Sequence, residues 1–157
     1  MSGALTEATR LLRLKDQRLD SARLAHALAL RAVRLAEEQL ARRDAAIAAL
    51  DQRQAGLSHW FSDPPSDPRL IETALVCREA VAQQRAAELT ARQDDVAALE
   101  DAEERRAEAT REVARAQARR DAADQVVQRL KLALSRHRER RIEHELDERL
   151  RGAGALA

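Results

Sequence analysis

Aromatic residues are nearly absent from this chain. Its 157 residues include one Trp, one Phe and no Tyr. Charged residues make up 35%, and much of the 45% hydrophobic fraction is alanine, which buries little surface. Such a composition can close a narrow seam between helices, but it does not supply the wide core of a globular domain.

The chain has only one cysteine, no long apolar run and no large excess of positive or negative charge. The single Cys77 excludes an intramolecular disulfide and fits a reducing compartment. No apolar run is long enough to cross a bilayer, and no signal-peptide region follows Met1. The net charge of +1 gives no whole-chain attraction to nucleic acid or to acidic lipid. We therefore expect a cytoplasmic protein that neither inserts into a membrane nor binds nucleic acid.

Proline is confined to one short stretch, at Pro64, Pro65 and Pro68. Proline removes a backbone donor and clashes with the preceding helical turn, so this stretch must lie between helices. Gly56 suits a helix C-terminus with positive φ, and Asp67 suits the N-cap of the helix that follows. The sequence predicts a first helix over about 4–55, a turn over 56–67, a second helix over about 68–150, and a short disordered C-terminal tail.

Heptad patterns on both sides of the turn predict the fold class. In the first helix one line of seam positions contains Leu5, Leu12, Leu19, His26, Val33, Leu40 and Ile47, and the second line contains Ala8, Lys15, Ala22, Ala29, Ala36, Arg43 and Leu50. In the second helix the pattern starts with Leu75, Ala82, Leu89 and Val96 and then shifts phase by three residues at Leu99. We expect an all-α protein, an elongated antiparallel two-helix coiled-coil hairpin with a longer second helix, spanning 1–157 as a single domain.

A turn centred near residue 62 places residue i opposite residue 124 − i. Residues from about 120 onward would then have no helix to pack against, although they include an apolar group of four residues, Val126, Val127, Leu130 and Leu134. We interpret this group as a partner-binding surface, and the nearby Arg129, Lys131 and Arg136 suit an acidic partner. Fraying or self-association of the coiled coil is the alternative.

Both aromatic residues, Trp60 and Phe61, lie at the turn, where a two-helix hairpin has little core to bury them. Either they fold back over Leu57 and Leu70, or they are a docking anchor for a partner.

No motif indicates catalysis, a cofactor or a metal. There is no HExxH, glycine-rich phosphate loop or paired-cysteine zinc pattern. His137 and His144 are seven residues apart, about 10.5 Å along a helix, which is too far for one metal ion. We therefore expect no enzyme activity, no cofactor and no metal site.

The start of the first helix resembles a known family. It reads Leu11-Leu12-Arg13-Leu14-Lys15-Asp16-Gln17-Arg18, similar to an LLxIKxxR start, and an Ala-rich stretch follows that ends Ala36-Glu37-Glu38-Gln39-Leu40. With the two-helix layout, these features resemble the type III secretion central stalk family, of the YscO/FliJ type and including the HrpO-like branch.

The resemblance implies a non-catalytic stalk or adaptor at the cytoplasmic base of a membrane secretion apparatus. A monomeric hairpin would link the hexameric export ATPase to the export-gate membrane protein, and the family also handles secretion chaperones. The end with both termini would enter the ATPase pore, and the turn would face the gate. The residues alone leave a second interpretation open, a self-assembling coiled-coil scaffold or protein-binding module unrelated to secretion.

Overall fold

A computed structural model describes residues 2–156 of the chain. It contains two helices, α1 (Ser2–Ser62) and α2 (Pro68–Ala155), and no strand within the described residues. The helices pack against each other in antiparallel directions, as an all-α hairpin. The predicted fold class is confirmed. Neither helix contains a stretch apolar and long enough to span a membrane, as far as the described residues extend.

The first helix ends later than predicted. Gly56 has no positive φ, and α1 continues through it to Ser62. The helix ends where Asp63 precedes Pro64, because a residue before proline is disfavoured in the α conformation. The turn is therefore limited to 63–67. The start of α2 is as predicted: Asp67 Oδ1 accepts a hydrogen bond of 3.0 Å from the Arg69 N–H, and Pro68 is the first helical residue.

The predicted disordered tail after about residue 150 is also wrong for the described part of the chain. α2 remains helical through Ala155, and only Leu156 follows it within the described residues.

The described residues form two compact units. Unit 1 consists of 2–26 with 109–156, and unit 2 consists of 27–108. Each unit pairs a part of α1 with a part of α2.

The seam of α1 follows the predicted ladder. Every position of both predicted heptad lines is buried or half-buried, including Lys15, His26 and Arg43. In unit 1 the deepest α1 side chain is Leu19, and in unit 2 the deepest are Val33 and Leu50. The heptad pattern of α1 therefore marks its interface side in both units.

The seam of α2 in unit 2 differs from the prediction. Leu75, Ala82 and Leu89 are exposed, whereas Ala74 and Val81 are buried. The half-buried residues Arg85, Glu88, Arg92 and Asp95 continue this line toward Leu99 and Ala102. There is consequently no phase shift at Leu99: charged residues occupy the interface where the prediction followed only apolar ones.

Ion pairs between the helices show that the predicted register was wrong. In unit 1 Arg120 donates to Asp16, and in unit 2 Arg92 donates to Asp44 and Arg85 to Asp51. In each pair the two residue numbers total 136, not 124. Since α1 extends beyond Gly56, each residue of α1 faces a later residue of α2, and within unit 1 Ser2 lies opposite residues near Leu134.

Replacing Gly56 with alanine is expected to stabilise the hairpin. Glycine inside a helix costs about 0.5–1 kcal/mol relative to alanine. Apart from the two neighbouring residues and the nearby backbone of α1, no described atom lies within 4 Å of a Cβ added at this position. Gly56→Ala should raise the melting temperature measured by circular dichroism. Ala55→Gly, at the neighbouring exposed residue, is the matched reverse change and should lower it by a similar amount. No gain from Gly56→Ala would show that this turn of α1 is not held helical in solution.

Candidate protein-interaction surfaces

The two aromatic side chains at the end of α1 pack against each other within unit 2. The ring centroids of Trp60 and Phe61 are 5.1 Å apart and the ring planes meet at 88°, an edge-to-face arrangement. The guanidinium carbon of Arg78 lies 5.6 Å from the Phe61 centroid, a cation–π contact between the two helices. Both rings are half-buried, and Leu70 is exposed. The pair therefore has a structural contact on α2 and also retains accessible ring surface.

The apolar group predicted near residue 130 is not an unpartnered surface. In unit 1 Val127 is 2% exposed, the most buried side chain of the seam, whereas Val126 is 48% exposed. Leu130 and Leu134 are half-buried at the next seam positions. The corrected register explains this finding, because residues near the start of α1 lie opposite this group. A role in binding a partner stays a prediction for these residues, but their supposed lack of an intramolecular neighbour no longer supports it.

A bare stretch of α2 does exist in unit 1, about 15 residues later than predicted. All residues of 135–155 are exposed, and no described residue of α1 lies opposite them. Ile142, Leu146 and Leu150 recur every four residues, so they share one side of the helix, and each is more than half exposed. We call these three residues the terminal stripe. Its spacing is visible in the sequence, but the predicted register placed the start of the unpaired stretch too early in α2.

A second surface in unit 1 was not predicted at all. A groove of about 320 Å³ lies between α1 and α2 and is lined by Lys15, Arg18, Ser21, Ala22, Glu112, Ala116 and Arg119. Ala22 and Ala116 are small residues on seam lines of the two helices, so their side chains leave space between the helix backbones. We call this surface the basic groove. In the sequence the only indication of this groove is that basic residues lie near alanines in each helix. The correct register is needed to bring the residues of the two helices together.

A charged cluster in unit 2 occupies the seam itself. Arg43 Nη1 donates to Glu88 Oε2 at 2.7 Å and Arg43 Nε donates to Asp95 Oδ2 at 2.8 Å. The three side chains are 24%, 23% and 14% exposed. The hydrogen bonds that Arg43 donates to Asp95 and Glu88 raise the pKa of its guanidinium above the usual range, so it remains charged. Arg43 therefore holds two carboxylates of α2 that are one heptad apart.

The groups that could carry metal or thiol chemistry are scattered. Within residues 2–156 no three His, Cys, Asp or Glu side chains are placed to hold a metal ion. Cys77 is an exposed free thiol, and His26 is half-buried in the seam.

In comparisons with known proteins, no family model, no curated protein and no solved structure matches this chain.

Proposed function

We propose that this protein is a non-catalytic stalk or adaptor of a type III secretion or flagellar export apparatus. It would act in the cytoplasm, at the base of the membrane apparatus, as a monomer. Its partners would be the hexameric export ATPase, the export-gate membrane protein and secretion chaperones. The motif beginning at Leu11 and the antiparallel hairpin support this proposal through their resemblance to the stalk family.

The observation that carries the proposal is the bare helical stretch of unit 1. Residues 135–155 of α2 are fully helical and present the terminal stripe to solvent. Apolar side chains in water are unfavourable by about 25 cal/mol per Å², so a partner that covers the stripe would gain free energy. In the stalk family the end with both termini enters the ATPase pore, and the stripe gives this end a surface for such a contact.

The turn end would serve the second contact. The half-buried pair of Trp60 and Phe61 keeps accessible ring surface, and aromatic side chains are frequent anchors in protein interfaces. We assign the export gate to this end by the same family analogy.

Co-purification with candidate export ATPases tests the proposal, and two variants locate the contact. Ile142→Asp with Leu146→Asp places charge on the terminal stripe and should abolish ATPase binding, while circular dichroism shows the hairpin still helical, because both residues are exposed. The matched control is His137→Asp with His144→Asp, which adds the same charges to exposed residues on another side of the same stretch. The control should keep ATPase binding. Equal binding by both double variants would contradict the role of the stripe.

The terminal stripe also favours the second candidate function, a self-assembling coiled-coil scaffold. Leu and Ile side chains along one side of a helix are what pairing with another helix requires. The mass of the protein in dilute solution separates the two functions. A monomer supports the stalk, and a stable dimer or larger assembly supports the scaffold.

A further inference from the structure

The net charge of the chain is close to zero because its two units carry opposite net charges that nearly cancel. Unit 1 contains 17 Lys and Arg and 11 Asp and Glu, a net side-chain charge of +6. Unit 2 contains 11 basic and 16 acidic residues, a net charge of −5. Within unit 1 the excess lies in 2–26 and 109–141, which carry +8, whereas 142–156 carries −2. The positive part of unit 1 is therefore the part that contains the basic groove.

Several cations of unit 1 are already neutralised by neighbouring carboxylates. Arg120 pairs with Asp16 at 2.9 Å and also with Asp121, and Arg115 pairs with Glu112 at 2.9 Å. The three cations that line the groove differ. Among the described residues, no carboxylate forms an ion pair with Lys15, Arg18 or Arg119.

Three unpaired cations around one groove create a positive potential that an incoming anion relieves. The floor of the groove includes the methyl groups of Ala22 and Ala116, and Ala116 is buried. A side chain that combines a short apolar stem with a carboxylate fits both features, since the stem can lie over the alanines while the carboxylate meets the cations. Aspartate and glutamate are such side chains.

We propose that the basic groove is a docking site for Asp and Glu side chains of an acidic partner protein. Nucleic acid fits this surface less well. Glu112 lines the same groove, and Asp121 and Asp124 lie close to it in sequence, so a continuous row of phosphates would meet carboxylates. Trp60 and Phe61 are both in unit 2, so unit 1 has no Trp, Phe or Tyr ring for stacking on bases. This inference goes beyond the secretion assignment, because it names the chemistry of the partner without assuming which protein it is.

The test uses the full chain and a fluorescein-labelled, alanine-based peptide of about 20 residues with glutamate at every fourth position, which supplies carboxylates on short apolar stems. Lys15→Gln, Arg18→Gln and Arg119→Gln are combined in one variant. The control combines Arg31→Gln, Arg34→Gln and Arg53→Gln, three exposed arginines of unit 2, and so removes the same total charge. Fluorescence anisotropy at low salt should show peptide binding weakened about tenfold or more by the groove variant and changed less than about twofold by the control.

Two further measurements distinguish a loss of peptide binding at the groove from unfolding of the glutamine variant. A variant that preserves the groove charges, Arg18→Lys with Arg119→Lys, should keep binding even if the glutamine variant unfolds. In the unaltered protein the NMR signals of the Ala22 and Ala116 methyl groups should shift when peptide is added. Unshifted methyl signals, equal loss by the unit 2 control, or tighter binding to a duplex DNA or to phosphatidylserine vesicles than to the peptide would overturn the proposal. Failure to co-purify with an export ATPase, with peptide binding intact, would instead refute only the secretion assignment.

Discussion

Replacing Val127 with aspartate is expected to open the helix pairing of unit 1. Val127 is 2% exposed at the seam, so an ionised carboxylate there would lose its hydration without gaining a partner. The expected destabilisation is about 3 kcal/mol or more, a large part of the total stability of a small protein. Denaturant titration followed by circular dichroism measures it, and faster amide hydrogen exchange in residues 2–26 should show that unit 1 opens.

The neighbouring valine is a matched control. Val126 is 48% exposed, and valine and aspartate have similar helix propensities, so Val126→Asp should change stability by less than about 1 kcal/mol. Because the two variants carry the same substitution at adjacent residues, the difference in their stability measures the effect of burial, apart from the effects of helix propensity and added charge. Equal losses from the two variants would contradict the register and the seam described for unit 1.

The contrast between these valines shows what the sequence could predict and what it could not. The heptad lines of α1 were sufficient to identify its interface, because nearly all the seam positions in that helix are apolar or small. Register is a different property, since any shift by whole heptads keeps the same residues in the seam. It was inferred from the centre of the turn, and the centre depended on Gly56 ending α1. Gly56 instead remains helical, which moved every pairing of α1 with α2.

The seam of α2 was harder to predict because its interface includes charges. Leu75 and Leu89 are apolar and heptad-spaced, yet they are exposed, whereas Arg85 and Arg92 pair with Asp51 and Asp44 across the helices. An apolar pattern cannot reveal an ion pair, because each partner alone resembles a solvent-exposed residue. The basic groove was missed for the same reason: Lys15 and Arg119 are 104 residues apart, and only the three-dimensional pairing makes them neighbours.

The position of the candidate surfaces was predicted better than their composition. The aromatic pair was placed at the turn, but the contact of Arg78 with Phe61 depends on how the two helices face each other. A bare helical end was also expected, and it exists. Its members are Ile142, Leu146 and Leu150 rather than the four residues near 130, because the extent of α1 sets where the bare stretch begins.

Replacing Arg43 with alanine should destabilise unit 2 and lower the melting temperature by several degrees. Among the described residues, Arg43 is the only cation that forms an ion pair with Glu88 or Asp95. Each of these carboxylates is less than a quarter exposed. Without the guanidinium both carboxylates remain partly desolvated and unpaired across the seam, which is more costly than losing an exposed ion pair. The effect should persist at high salt, because partly buried pairs are screened less than exposed ones.

The pH dependence of this effect follows from the sign of the Arg43 pKa shift. The hydrogen bonds to Asp95 and Glu88 raise the pKa of Arg43 in the folded protein above the ordinary value of an arginine. The stability linked to this shift is therefore fully present below the ordinary pKa of an arginine and is lost only at higher pH. The difference in melting temperature between the original protein and Arg43→Ala should accordingly be the same at about pH 6.5 and at about pH 9.

Arg42→Ala is the matched control for the Arg43 prediction, since Arg42 is 76% exposed and its one ion pair among residues 2–156 is with Glu38 of the same helix, at 3.9 Å. An exposed pair of this kind contributes little, so the control should leave the melting temperature within about 1 °C. A third variant distinguishes two causes of the lost stability, the loss of the ion pairs themselves and the cost of leaving the carboxylates unpaired. Arg43→Met combined with Glu88→Leu and Asp95→Leu replaces the whole cluster by apolar side chains, and it should recover most of the stability lost in Arg43→Ala. If Arg43→Ala lowers the melting temperature no more than Arg42→Ala does, the cluster does not stabilise the seam. If the triple variant is as unstable as Arg43→Ala, unpaired carboxylates are not the cause of the lost stability.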